Sequence, residues 1–253
     1  MKGYIRAQAI IFGDFSNYII NSKSVFELMD KMKEYEVIPN VIDEVQIDIK
    51  GDQPTQRLVK RVDLESIKHQ INISITQDNI FVVGIPAIQK DSETATIDIK
   101  NFIVDVKNVL NILLNILKVK ATRASLITAY LDENNLKNQY EKYAKPEGFY
   151  KGKDVFEWNL RSVVREKINI QNEEQLSNEE INIVYNISRS KGVFGSKIPK
   201  PENYSFDGVL NEIDINTIPE NISQRIDENY INNFYDIALA KKDEIEGMIG
   251  DEK

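Results

Sequence analysis

The chain of 253 residues is 42% hydrophobic and 28% charged, carries a net charge of −8 and contains no cysteine. The hydrophobic fraction excludes a charge-dominated disordered chain, and the lack of thiols excludes disulfide frameworks, thiolate zinc sites, iron–sulfur clusters and cysteine nucleophiles. The acidic balance repels a phosphate backbone on average, so nucleic-acid binding requires a local basic patch, and a cysteine-free chain fits a reducing, cytoplasmic setting.

Residues Tyr4 to Phe12 alternate as a strand requires, and the interleaved Arg6 and Gln8 are unlike the unbroken apolar run of a secretion signal. Ser24-Val-Phe-Glu27 reads as a capping box ahead of Val25, Leu28, Met29, Met32 and Tyr35 at helical spacing. From Val41 to Gly84 a two-residue period takes over, with Val45, Ile47 and Ile49, then Leu58, Val62 and Leu64, then Ile71, Ile73 and Ile75, then Ile80 and Val82. Gly51, Pro54 and Asp78 punctuate these runs, which predicts an antiparallel meander.

After a short strand at Thr94 to Ile99 comes the strongest helical pattern, carried by Phe102, Ile103, Val106, Leu110, Leu113 and Leu117. Asp105, Lys107 and Lys118 interrupt it too often for a membrane span. Its three-and-four spacing is too short for a coiled coil, so packing on its own sheet is the expected use.

The second half repeats this grammar. Arg123-Ala-Ser-Leu-Ile-Thr echoes Arg6-Ala-Gln-Ala-Ile-Ile, and Ile213-Asp-Ile echoes Ile97-Asp-Ile, at offsets of 117 and 116 residues. A short helix is expected over Leu136 to Tyr143, strands near Val155 to Ile170, Ile181 to Ser188 and Tyr204 to Ile215, and a terminal helix from about Ile222 to Ile249. The expected class is α+β, with two tandem similar halves, 1–118 and 119–253, each an antiparallel sheet packed on a long helix. Helix-grip-like and embellished ferredoxin-like arrangements both satisfy that order, and the halves meet without a flexible linker.

Few residues suggest chemistry. His69 is the only histidine, which excludes multi-histidine metal sites, and no serine–acid pattern surrounds it. Asp48, Asp98 and Asp214 each stand in an Ile-Asp-Ile setting, as on the solvated faces of half-buried strands. Phe149, Tyr150, Phe156 and Trp158 form an aromatic cluster that reads as core or as a partner patch. The most unusual stretch runs from Ser188 to Pro201, where Arg189, Lys191, Lys197 and Lys200 concentrate positive charge and Gly192 and Gly195 free the backbone to approach an anion. It reads as a loop, solvated or partner-binding. No catalytic residue, metal site or cofactor is assigned.

The element order, together with the Arg-led strand Arg123-Ala-Ser-Leu-Ile-Thr-Ala-Tyr, resembles a sporadically distributed family of bacterial proteins of about this length and unknown function. The resemblance implies a bacterial or phage setting with a mobile-element or defence-related role. The expected function is a non-enzymatic protein-interaction or assembly component, with a protein partner or a homo-oligomer. The alternatives are a small-ligand binder or enzyme with a cavity between sheet and long helix, and nucleic-acid binding through the 189–200 basic stretch.

Overall fold

A computed structural model describes residues 2–50, 53–88, 95–133, 157–171, 176–196 and 201–251. In chain order the elements are β1 (Lys2–Phe12), α1 (Ser22–Lys31), β2 (Ile38–Lys50), β3 (Gln53–Ser66), β4 (Ile71–Ile75), β5 (Asn79–Gly84), β6 (Ala87–Ile88), β7 (Ala95–Thr96) and α2 (Ile99–Leu117). They continue with β8 (Arg123–Asp132), β9 (Asn159–Gln171), β10 (Leu176–Ser196), β11 (Glu202–Thr217) and α3 (Glu228–Asp251). The protein is mixed α+β and built mainly on antiparallel pairing. The expected helix over 136–143 lies outside the described residues.

Local chemistry sets the helix ends. Asn21, not Ser24, caps α1: its extended backbone lets the side chain accept from the Ser24 amide at 3.1 Å while Ser24 Oγ accepts from the Asn21 amide at 2.9 Å. At α2 the Asp98 carboxylate accepts from the Lys100 and Asn101 amides. Asp98 is therefore a helix cap rather than a strand-face carboxylate, and of the expected strand at 94–99 the described residues form one only at Ala95–Thr96, Thr94 lying outside them. The helix ends where Lys118 turns left-handed, at φ 54°, and its amide reaches back to Leu114 O at 2.8 Å.

Nine of the eleven strands join into one sheet of order β2-β3-β4-β5-β1-β8-β11-β10-β9, β6 and β7 form a separate two-stranded pair, and every neighbouring pair is antiparallel. This corrects the expectation of two sheets. β1 and β8, each the first strand of its half, pair along their whole lengths from Lys2↔Asp132 to Phe12↔Arg123. That pairing satisfies edges which would otherwise stay open. The Ile97-Asp-Ile and Ile213-Asp-Ile strings do not correspond, because the first opens α2 and the second lies within β11.

Alternation decides the two faces. Ala7, Ala9 and Ile11 of β1, Ile80 and Val82 of β5, Leu126 of β8 and Ile213 and Ile215 of β11 are buried in one continuous hydrophobic cluster with α2 and α3. Nine side chains of α2, among them Phe102, Val106, Leu110 and Leu113, are buried there. From α3, Tyr230, Phe234, Tyr235 and Ala238 are fully buried. The two long helices are tied by Lys107 to Asp236 at 2.7 Å and by Asn111 to Asn232 at 3.1 Å. Among the described residues no helix lies on the opposite face, and no helix is long and apolar enough to cross a membrane.

Register also shows where the sheet narrows. β4 pairs with β3 only over Val62–Ser66, so residues 42–50 and 53–61 continue as a two-stranded ribbon. β8 meets β11 no further than Val209, and β9 meets β10 no further than Ser188, so residues 189–196 and 202–208 form a second ribbon. The first projects past the sheet end that carries Phe12, and the second past the end that carries Asp132.

Candidate functional site

The basic stretch is a strand. Arg189, Lys191, Gly192 and Gly195 belong to β10 and pair residue for residue with β11 out to Ser196↔Glu202, whereas Lys197 and Lys200 lie outside the described residues. Asp207 on the facing strand accepts from Lys191 Nζ at 2.8 Å and from Arg189 Nε at 3.4 Å. The Lys191 hydrogen bond holds the Asp207 carboxyl below its ordinary range, and Arg189 adds to that effect. One acid thus offsets part of the positive charge that the sequence concentrates here.

Gly192 has a steric role. A Cβ there would come within 3.0 Å of the Phe206 ring, so the glycine lets that ring lie across the neighbouring strand. Phe194 stacks on Tyr204 at 5.5 Å and lies 6.2 Å from Phe206, which gives the ribbon its own small aromatic surface. Trp158 sits at the ribbon's base, where its carbonyl accepts from the Arg189 amide at 3.1 Å. The other members of the expected aromatic cluster, Phe149, Tyr150 and Phe156, lie outside the described residues.

His69 docks a turn. Its Nδ1 is 2.9 Å from Asp105 Oδ1 of α2, and its ring lies 4.4 Å from that of Tyr35. Burial, reinforced by the Asp105 charge, pushes the Tyr35 phenol up to about 12. Asp214 accepts from Ser125 Oγ at 2.9 Å on the helix-free face, and the Asp48 side chain lies outside the described residues. Asp98 and Asp214 therefore do not converge, and no group of three or more metal-ligating side chains forms among the described residues.

Two buried ionic clusters escaped sequence reasoning. Glu179 of β10, 3% exposed, receives Arg225 Nε at 2.6 Å, Arg225 Nη2 at 2.9 Å and the Tyr230 hydroxyl at 2.9 Å. Arg225 also donates to the carbonyls of Thr122, Asn221 and Ser223, so the segment entering α3 is bound to β10 and β8. At the other end of α3, Lys242, 2% exposed, contacts the Tyr4 hydroxyl at 2.6 Å, Asp243 at 2.6 Å and Glu246 at 2.9 Å. Tyr4 in turn donates to Glu246 at 2.6 Å. In both clusters the donors are matched by acceptors, which makes them clamps for α3.

The sheet edges differ from the centre. Most apolar side chains of the central strands are buried, whereas the outermost strands expose several: Val41 and Val45 of β2 at 44% and 60%, and Val163 and Val164 of β9 at 50% and 52%, although Ile168 and Ile170 of β9 are buried. Neither β2 nor β9 has an outer neighbour among the described residues. Beside β9, an apolar groove of about 280 Å³ is lined by Val164, Ile183, Tyr185, Ile245 and Met248. Alternation predicts which residues share a strand face, but only the strand order reveals which strands are outermost.

No protein-family model matches the chain, and no curated protein and no solved structure is similar to it.

Proposed function

We propose that this chain is a non-enzymatic protein-interaction or assembly component that engages a protein partner through the outer strands of its sheet. The observation that carries the reading is the concentration of exposed β-branched side chains on β2 and β9, neither of which has an outer neighbour among the described residues. Strand addition uses both features: main-chain hydrogen bonds supply affinity, and alternate side chains supply selectivity. The bacterial or phage setting and the mobile-element or defence role rest on the family resemblance alone.

The other readings draw less support. The space between α2 and the sheet is filled, since the buried side chains of that helix are at most 9% exposed, which disfavours a ligand cavity there. The sharing of Asp207 by Arg189 and Lys191 weakens the case for a phosphate-binding stretch.

A second part of the proposal concerns origin. We infer that residues 1–118 and 119–253 are two copies of one unit. Ile97 N donates to Tyr4 O at 2.8 Å just before α2, and Ile226 N donates to Ala121 O at 3.0 Å just before α3. Tyr4 and Ala121 are 117 residues apart, the same offset as Arg6 and Arg123. Asp227 accepts from the Tyr230 amide as Asp98 does from that of Asn101, so Ile97-Asp98 corresponds to Ile226-Asp227.

Photo-crosslinking in the native cell tests the interaction reading. A crosslinker at Val163 or Val45 is expected to capture protein, and one at Asn72, on the helix-free face, to capture none. Crosslinks confined to Asn72, or no crosslinks at all, would overturn it.

A further inference from the structure

We infer that the β1–β8 seam is a homodimer contact carried within one chain: the repeated unit pairs with a second copy of itself along its first strand, about a two-fold axis. This rests on the duplication reading above and names the unit's partner. In a two-fold contact, wherever residue i of one copy meets j of the other, j of the first meets i of the second. The seam obeys this over seven consecutive pairs, Arg6↔Ala129 to Phe12↔Arg123, with counterparts 117 residues apart. Gln8 pairs with Ile127, the counterpart of Ile10, and Ile10 pairs with Ser125, the counterpart of Gln8. Ala9 pairs with Leu126, its own counterpart, so the axis passes between them.

The flanking strands follow the same axis. One apolar row crosses the sheet through Ile73, Val82 and Ala9 of the first half and Leu126, Ile215 and Ile183 of the second. β5 therefore flanks β1 as β11 flanks β8. Taken alone, each half would leave its first strand as an open edge, and pairing with a copy closes both edges at once.

Two rows at the ends of the seam show both the relation and its divergence. In one, Asn79, Phe12 and Arg123 are neighbours in register, and the Arg123 guanidinium lies over the Phe12 ring at 4.7 Å. In the other, the counterparts Glu212, Ala129 and Arg6 are neighbours in register, and Arg6 reaches past Ala129 to Glu212 at 3.0 Å. The same arginine position serves both rows, and the residue beside it decides whether it meets a ring or a carboxylate.

Exchanging these two rows in the full chain tests the relation, with coupling read from double-mutant cycles in urea unfolding. Ala129→Phe/Glu212→Asn should place Arg6 over the new ring, so that Arg6→Ala raises the unfolding constant about two- to fivefold more there than in Glu212→Asn alone. The reciprocal Phe12→Ala/Asn79→Glu should give Arg123 a carboxylate partner. Arg123→Ala should then raise the unfolding constant about 1.5- to fivefold more than it does in Phe12→Ala alone at about 0.1 M salt, and equally at about 1 M. The reciprocal variant adds no bulk beside Arg123 and decides the matter if the ring variant does not fold. Coupling at the exchanged rows supports self-pairing. Absence of coupling in any variant that folds, or loss of folding in both, would overturn it, because a two-fold seam accepts the exchange. Hydrogen exchange at the Ile97 and Ile226 amides checks the duplication reading separately. With both protected and no coupling, the repeat stands and only the self-pairing falls; with either one unprotected, the repeat itself falls.

Discussion

At the scale of residues, the buried polar clusters set the largest individual energies. Glu179 is nearly inaccessible, so Arg225→Met leaves a buried charge without its partner and should cost about 3–5 kcal/mol in urea unfolding. The double variant Arg225→Met/Glu179→Leu should recover part of that loss, because it removes both desolvated charges. Tyrosines set the alkaline limit. Burial raises the phenols of Tyr4, Tyr230 and Tyr235 above their ordinary value of 10.0. A raised folded-state value means that the contribution is complete below pH 10 and is lost as the pH climbs above it, where the unfolded chain ionises first. For fully buried Tyr235 the loss is about 1.4 kcal/mol per pH unit, so the urea midpoint should hold from neutral pH to about 9.5 and then fall, less steeply in Tyr235→Phe. None of these residues stood out in the sequence, because Arg225 meets Glu179 46 positions away and Lys242 meets Tyr4 238 positions away. His69 was conspicuous as the only histidine, and it proves to be a tether to α2.

Elements were legible where one periodicity held without interruption. The nine buried positions of α2 recur at helical spacing, and the β3–β5 meander alternates cleanly between turns. The β10–β11 hairpin was harder, because Gly192, Gly195 and the surrounding cations resemble a loop when their cross-strand neighbours are unseen. Phe206 lying over Gly192 explains the glycine, and Asp207 pairs with two of the cations, Arg189 and Lys191. Two-stranded ribbons have no third strand to share their bonds and are marginal in water on their own. Amides of residues 189–196 and 202–208 should therefore exchange at least about tenfold faster than those of β1 and β8 in native-state hydrogen exchange. Equal protection in dilute solution would mean that something already covers the ribbon.

For the whole molecule, the decisive contact is the β1–β8 pair, which merges the strands of both halves into one sheet above one hydrophobic cluster. Heat or denaturant should consequently unfold the described body in a single cooperative transition, with coincident far-ultraviolet dichroism and fluorescence curves; two separated transitions would show that the halves are independent. The amino-acid order alone determined the α+β class, the meander and the apolar face of α2, because each follows from side-chain period over a short stretch. Only the tertiary structure decided that the long strands of both halves share one nine-stranded sheet, that β2 and β9 are its outermost strands among the described residues, and that Asp98 is a helix cap. Those outcomes depend on which distant strands meet, and backbone pairing is nearly indifferent to sequence, so no local pattern records it.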